Sequence, residues 1–503
     1  MADKASKLDQ LKSILAELAD LGSAQSVMSW DQQTYMPKGA VEARGQALGT
    51  IGRLVHEKFT DDKVGKLLDD LEKEAKDWDP NSDEARLVKV TRREYDQSVK
   101  VPAAMIVEQA ELRAGGNAAW QEARAKSEWP IFEPWMEKIL DFNLRFVDLF
   151  KPYDHPYDVL LDIYEPNMKA TDVKQIFDDL RPKQVELIQA ISEQPEIDDS
   201  VLHRHFPEAD QWQFGKEVIT AFGYDWDRGS MDKTTHPFAA TISYGDNRIT
   251  VRVDENFFNP FFFGALHESG HSMYEQGISK SLARTPLYGG TSLAVHESQS
   301  RMWENLVGRS LPFWEHFFPK LQKTFPEALE GVSLEEWHRA VNKVAPSYIR
   351  VEADEATYNL HIMLRLELEM AMIENKIKIK DLPNEWNARF EEYLGIVPAN
   401  DAQGVLQDVH WSFGLYGYFS TYALGNLISA QLWEVIEKDN PKIWEQVGKG
   451  EFKPLLTWLN EKVHASGSKF EPQELVQMVT GSKIDAAPYV RYLTDKFSGI
   501  YKL

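Results

Sequence analysis

The sequence predicts a mainly α protein with one small β element in mid-chain, and three observations predict it. Apolar residues recur at intervals of three and four along much of the chain, the spacing that gathers them on one face of a helix. Prolines fall at Pro37, Pro80, Pro102, Pro130, Pro134, Pro152 and Pro156, which suits helix starts and short connections better than long linkers. The exception is Thr234 to Val253, where two β-branched runs flank a turn.

In chain order, Leu8, Leu11, Ile14, Leu15, Leu18 and Leu21 mark an amphipathic helix over Lys4 to Leu21. The same pattern predicts helices at Val41 to Phe59, Val64 to Ala75, Glu84 to Val99 and Asp172 to Ile191. It returns at Leu334 to Val344, Ala353 to Asn375 and Gly425 to Glu437. Between them, His236 to Tyr244 and Arg248 to Val253 are expected to form a hairpin turning at Gly245-Asp246-Asn247. Arg248, Thr250 and Arg252 alternate with Ile249, Val251 and Val253, predicting one wet and one buried face. No repeat, low-complexity linker or clean boundary divides the chain, so residues 1–503 are read as one unit.

With 43% apolar and 12% aromatic residues, the chain has the burial potential of a globular protein. Its 56 Lys and Arg against 79 Asp and Glu give a net charge of −23. That opposes the electrostatics of nucleic-acid binding and of anionic membrane surfaces. There is no Cys, so no disulfide, thiolate nucleophile or Cys-held metal is available, and any metal must sit on His and carboxylates. The segment Met1 to Lys7 lacks a basic stretch leading into an apolar one, and no run reaches the ~18 apolar residues of a membrane span. A cytoplasmic setting is the expectation.

The segment Phe261-Phe262-Phe263-Gly264-Ala265-Leu266-His267-Glu268-Ser269-Gly270-His271 carries His-Glu-x-x-His. On a helix, residues four apart share a face, so His267 and His271 can bind one ion while Glu268 leans over its open coordination position, the geometry of a zinc hydrolase. Chance alone produces the pattern in such a chain on the order of a few per cent of the time. The preceding aromatic run argues for burial, where an unpaired carboxylate is costly unless used.

A catalytic zinc usually takes three protein ligands. The nearest source is His296-Glu297-Ser298-Gln299, on a new helix capped by Thr291 or Ser292. His296 and Glu297 diverge by about 100° around a helix, so only one points at an ion; Glu297 is the choice. Its competing reading is an ion pair with Arg301, four residues on.

Two further clusters stand out. In Ile349-Arg350-Val351-Glu352-Ala353-Asp354-Glu355 an arginine enters a helix with three acids in its first turns. That is either favourable charge at a helix start or a planar fork for a substrate carboxylate. His410 is followed by Tyr416, Tyr418 and Tyr422, which offer neutral donors to an oxyanion or simply pack as an aromatic helix.

These motifs, with Asp246-x-Arg248-x-Thr250, Gly404-x-x-Gln407-Asp408-x-His410-Trp411 and Trp30-Asp31-Gln32-Gln33-Thr34-Tyr35-Met36-Pro37, stand in the order found in one family. The chain resembles the thermostable carboxypeptidase 1 type family of HEXXH zinc metallocarboxypeptidases over essentially its full length. The resemblance implies a large helical body around a deep cleft, with a small sheet beside the HEXXH helix. It also implies an N-terminal helical lid at about residues 1–100, a zinc-site core at about 230–425, and a homodimer. The implied activity is release of single amino acids from the free C-termini of peptides.

The implied metal is Zn2+, with Co2+ as a substitute, held by His267, His271 and Glu297. Glu268 is the implied general base and acid, and His410 and Tyr418 the oxyanion donors, with Tyr416 or Tyr422 as alternatives to Tyr418. Arg350 is implied as carboxylate anchor, Arg248 as second candidate, and Asp246, Thr250, Gln407 and Asp408 as further substrate-side residues. The strand from Arg248 to Val253 is also expected to pair with substrate backbone by strand addition. An oligo-endopeptidase or dipeptidyl carboxypeptidase is the nearer alternative, and a helical scaffold with structural histidines the farther one.

Overall fold

The computed structural model describes residues 6–503. It is mainly α, as the periodicity predicts, with a single three-stranded sheet among the described residues. The first helix runs Lys7–Thr34, opened by a capping box in which Ser6 and Asp9 exchange side-chain and backbone hydrogen bonds; the predicted start at Lys4 lies outside the described residues. This helix outruns its predicted end at Leu21 by several turns, since no proline follows until Pro37. Helices Val41–Phe59, Asp62–Glu74 and Asp83–Lys100 follow, the last two capped by Asp61 and Ser82.

These N-terminal helices have a core of their own. Leu11, Leu15, Leu67, Leu68, Leu71, Leu87 and Val88 bury together, and Ile278, Leu282 and Leu287 from the segment after the HEXXH helix close the cluster. At about 1.5–3 kcal/mol per buried aliphatic side chain, this is enough to tie the N-terminal layer to that segment.

The main core surrounds the helix Phe258–Gly277, which carries the HEXXH motif. Phe258 packs on Phe206 and Trp337, and Phe262 on Phe214 and Trp314. The aromatic run is buried, as expected. It anchors the first two turns of the helix, so the next two present His267 and His271 from a rigid base.

The sheet differs from the predicted hairpin in three ways. A strand β1 (Met231–Lys233), unseen in the sequence, pairs parallel with β3 (Asp246–Val251), and β2 (Ala239–Ser243) pairs antiparallel on the other side. The turn is Tyr244-Gly245, so Asp246 and Asn247 belong to β3. The wet face fails at Thr250: its hydroxyl accepts the Phe238 N–H at 2.9 Å and donates to the Phe238 carbonyl at 3.0 Å, which lets it bury completely. With both sides of β3 paired, substrate cannot add to it as a strand, and that expectation is corrected.

Two helix readings also change. Arg350–Glu352 is a separate 3-10 turn, and the helix proper is Tyr358–Ile373. Asp354 ends the approach by accepting the N–H groups of Ala356 and Thr357 at 2.9 and 3.0 Å, a local alternative to continuing the helix backwards. The stretch from His410 to Tyr422 is a 3-10 turn (His410–Phe413) and a loop leading into helix Ser420–Asp439. No described helix is long and apolar enough to cross a membrane.

Candidate metal centre

His267, Glu268 and His271 occupy the middle of helix Phe258–Gly277, and Glu297 comes from helix Leu293–Arg301, whose N-cap is Ser292. Ligand atoms of His267, His271 and Glu297 lie within 4.8 Å of one another. Glu297 Oε2 stands 3.6 Å from His267 Nε2 and 3.5 Å from His271 Nε2. Two ligands about 2.1 Å from one ion at a tetrahedral angle would be about 3.4 Å apart. The donor set and spacing therefore fit a divalent metal.

Close packing sets this spacing. A Cβ on Gly270, between Glu268 and His271 in sequence, would come within 2.6 Å of Ser300 Cα, so glycine lets the two helices approach. The remaining atoms of the triad are fixed by partners. His267 Nδ1 meets Glu304 Oε2 at 2.9 Å, and His271 Nδ1 meets His296 Nδ1 at 3.0 Å. Glu297 Oε1 accepts from Arg301 Nε at 2.7 Å. The ion pair that competes with the ligand reading is present on Oε1 while Oε2 faces the two histidines, and the pair is buried rather than on the surface.

The electrostatics match. Burial would raise the Glu297 carboxyl, but Arg301 and the two histidines hold it well below the usual carboxylate range. Burial pushes His271 down to about 4, leaving it neutral. His267 is pulled the other way, because Glu297 and Glu304 outweigh its burial. Glu268 is pushed up to about 7 by burial; the remaining influences on it are charges at a distance, with no hydrogen bond among them. It is a carboxyl free to exchange a proton near neutral pH.

Beside the triad, Arg350 is buried and donates from Nε to Asp408 Oδ1 at 3.0 Å and from one terminal nitrogen to the Tyr358 hydroxyl at 2.9 Å. Arg365 donates to the other Asp408 oxygen at 2.6 Å. Two guanidinium groups therefore share one carboxylate, leaving one positive charge over. Asp408 is held far below its ordinary range by the two arginines, against its burial. Gln407 accepts the Arg350 N–H at 2.9 Å and donates to the Tyr348 carbonyl. Gln407 and Asp408 thus grip Arg350 itself. Tyr358 links this group to the triad, since Arg301 lies 4.4 Å over its ring.

His410 is pushed down to about 3 by burial and the two arginines, although Asp408 opposes them. Its Nε2 lies 3.4 Å from the Tyr422 hydroxyl, and Tyr418 stacks edge-on against Tyr422 at 5.5 Å. Both tyrosines sense the charge of Glu297. Tyr416 points away, its hydroxyl 3.7 Å from Met136 Sδ in the core. Gly417 decides this divergence. At φ +84° it turns the chain between the two tyrosines, and any Cβ there would lie 2.6 Å from the Leu160 carbonyl carbon.

The sheet residues are engaged locally. Asp246 binds Arg248 through both carboxylate oxygens at 2.7 Å, and the Arg248 guanidinium lies 4.2 Å over the Trp30 ring. With its charge matched, Arg248 ties the N-terminal helix to the sheet. Thr250 binds only Phe238 backbone.

Sequence reading missed Glu304, Arg365, Tyr358 and the contacts of His296. The signal for Glu304 was present: Glu297, Arg301 and Glu304 recur at helical spacing. The wide helical turn Met302–Val307 then carries Glu304 to His267.

A helical body presenting two histidines one turn apart, with a carboxylate from the next helix, defines the class of HEXXH metallopeptidases. The chain belongs to the carboxypeptidase Taq (M32) metallopeptidases, whose family model matches residues 10–497. It is 42% identical to thermostable carboxypeptidase 1 of Thermus thermophilus, over 96% of this chain and 97% of that one. It is 37% identical to carboxypeptidase 1 of Bacillus subtilis, over 97% and 98%. Among solved structures, the M32 carboxypeptidase of Deinococcus radiodurans superposes with a TM-score of 0.96 at 39% identity, covering 99% of this chain and all of that one.

Proposed function

We propose that this metal-dependent carboxypeptidase releases single amino acids from the C-termini of peptides, with zinc as its ion and cobalt as a substitute. The observation that carries the exopeptidase reading is the charge left over at Arg350, Arg365 and Asp408. A buried cation in excess is costly unless an anion joins it, and the free carboxylate of a peptide is such an anion.

In this reading His267, His271 and Glu297 hold the ion, which supplies Lewis acidity and water activation when bound. Glu268 takes the proton of the attacking water onto its carboxylate and returns it to the departing amine. His410, kept neutral by burial, and Tyr418 donate to the developing oxyanion, with Tyr422 aligning His410. Arg350 binds the terminal carboxylate through its fork, Asp408 and Tyr358 keep that fork still, and Gln407 holds the Arg350 backbone N–H.

A single catalytic unit with a deep cleft, lidded by the helices of about residues 1–100 over a core at about 230–425, belongs to the same proposal. So do a homodimer and a cytoplasmic setting. The cluster in which the N-terminal helices pack on Ile278, Leu282 and Leu287 supports their placement over that core.

A mass-spectrometric time course on an unmodified peptide and its C-terminally amidated twin, with zinc or cobalt and a chelator control, tests the proposal. Stepwise loss of single residues from the free acid alone, stopped by the chelator, is expected. Internal cuts in both peptides would favour an oligo-endopeptidase, and release of residue pairs a dipeptidyl carboxypeptidase. No cleavage with either metal would favour a scaffold.

A further inference from the structure

We propose that His296 and Glu275 are positioning residues for His271, forming a relay that turns its Nε2 lone pair toward the metal position. The inference rests on the metal reading above and extends it to two residues outside the triad.

Glu275 stands four residues after His271, so His267, His271 and Glu275 form one stripe along the helix. The distance along that stripe puts Glu275 a full turn beyond the triad, and the gap is filled by His296. The chain runs from His271 Nδ1 to His296 Nδ1 at 3.0 Å, and from His296 Nε2 to Glu275 Oε1 at 2.7 Å.

The direction of the protons follows from the carboxylate end. Glu275 Oε1 also accepts the Gly290 N–H at 2.9 Å, and a carboxylate only accepts, so His296 Nε2 is the donor to it. The relay is proposed for His296 with a single N–H: with that proton on Nε2 its Nδ1 accepts, and the donor to it is His271 Nδ1–H. With its proton on Nδ1, His271 has a bare Nε2, the atom 3.5 Å from Glu297 Oε2. The relay therefore selects the tautomer that a metal ligand needs.

The surroundings leave His296 little freedom. A Cβ on Gly290 would fall 2.3 Å from His296 Cδ2 and 2.8 Å from its Nε2. The Tyr274 ring lies 4.8 Å away on another side. The second Glu275 oxygen is buried without a hydrogen-bond partner among the described residues. His267 is served differently, by Glu304 directly.

The test is zinc affinity of the metal-free parent and of His296→Ala, Gly290→Ala, Glu275→Leu and Glu275→Gln, with the visible spectrum of each cobalt form. Gly290→Ala removes no hydrogen-bonding group but crowds His296 and, at 2.8 Å, the Tyr274 ring beside it, so it separates position from chemistry. His296→Ala, Gly290→Ala and Glu275→Leu are expected to bind zinc about 10–100-fold more weakly, with altered cobalt spectra and parent-like circular dichroism. Glu275→Gln keeps an oxygen acceptor and is expected to stay closer to the parent than Glu275→Leu. Affinities within twofold of the parent and an unchanged cobalt spectrum in folded His296→Ala and Gly290→Ala would overturn the relay. If His296→Ala does not fold, equal affinities for the two Glu275 variants and the parent would overturn it. A parent that binds no zinc would instead overturn the metal reading beneath it.

Discussion

Gly425 lies against Glu297 so closely that a Cβ on it would sit 2.6 Å from Glu297 Cβ and 2.7 Å from its Cγ. Helix Ser420–Asp439 thereby forms the wall that holds the Glu297 side chain in place. Gly425→Ala gains about 1 kcal/mol of helix propensity but overpacks a filled site at about 1–3 kcal/mol, so a net loss of stability is expected. More tellingly, zinc affinity should fall at least about tenfold. Calorimetric zinc titration checks this, and a folded variant with parental affinity would show that Glu297 needs no such wall.

Glu268→Gln removes the proposed proton acceptor but keeps the size of the side chain. It is expected to retain zinc and thermal stability while kcat falls about 10²–10⁴-fold. A steady-state assay beside a metal analysis decides it; near-parental turnover would remove Glu268 from the proton transfer.

Arg350→Ala leaves Asp408 paired with Arg365, so the fold is expected to survive while the surplus charge disappears. On free-acid peptides kcat/KM should drop about 10²–10³-fold, in line with the cost of unpairing a buried charge. The preference for the free acid over the amidated twin should shrink with it. Arg350→Lys keeps the charge without the planar fork and is expected to recover part of the loss. Undiminished discrimination in Arg350→Ala would place carboxylate recognition elsewhere.

Glu165 caps the helix of Glu297 by accepting the Ala294 N–H at 2.6 Å, while its other oxygen is buried without a hydrogen-bond partner among the described residues. Burial pushes this carboxyl from 4.5 up to about 8, against the hydrogen bond from the Ala294 N–H. The folded chain thus keeps a proton that the unfolded chain releases. Its contribution to stability is full below pH 4.5 and is lost as pH rises through about 8. Glu165→Gln retains the acceptor and cannot ionise, so at pH 8 it is expected to be more stable than the parent by on the order of 1–3 kcal/mol. Urea unfolding between pH 5 and 8.5 tests this, and parallel stability curves for the two proteins would refute it.

Much of this was legible before any fold was known. The HEXXH spacing placed His267 and His271 on one face because 3.6 residues complete a helical turn, and the Phe261-Phe262-Phe263 run marked that helix as buried. The paired signals of a cap and a second His-Glu led to Glu297. The same local logic failed where a distant partner decides the outcome. Thr250 alternates like a surface residue but buries because Phe238 supplies both of its hydrogen bonds. The Asp354 side chain replaced the expected first helical turn after Arg350.

What the sequence by itself determined is whatever repeats within a few residues: the helices, their caps, the two-histidine stripe and the order of the motifs. Only the tertiary structure decided which partners those residues meet across the chain. It gave His296 to His271 and Glu275, joined Arg350 and Arg365, 15 positions apart, on one Asp408, and sent Tyr416 to the core but Tyr418 toward Glu297. The physical reason is range. Helical periodicity and capping act over one or two turns, whereas desolvation and charge balance depend on every group packed around a buried atom, wherever it lies along the chain.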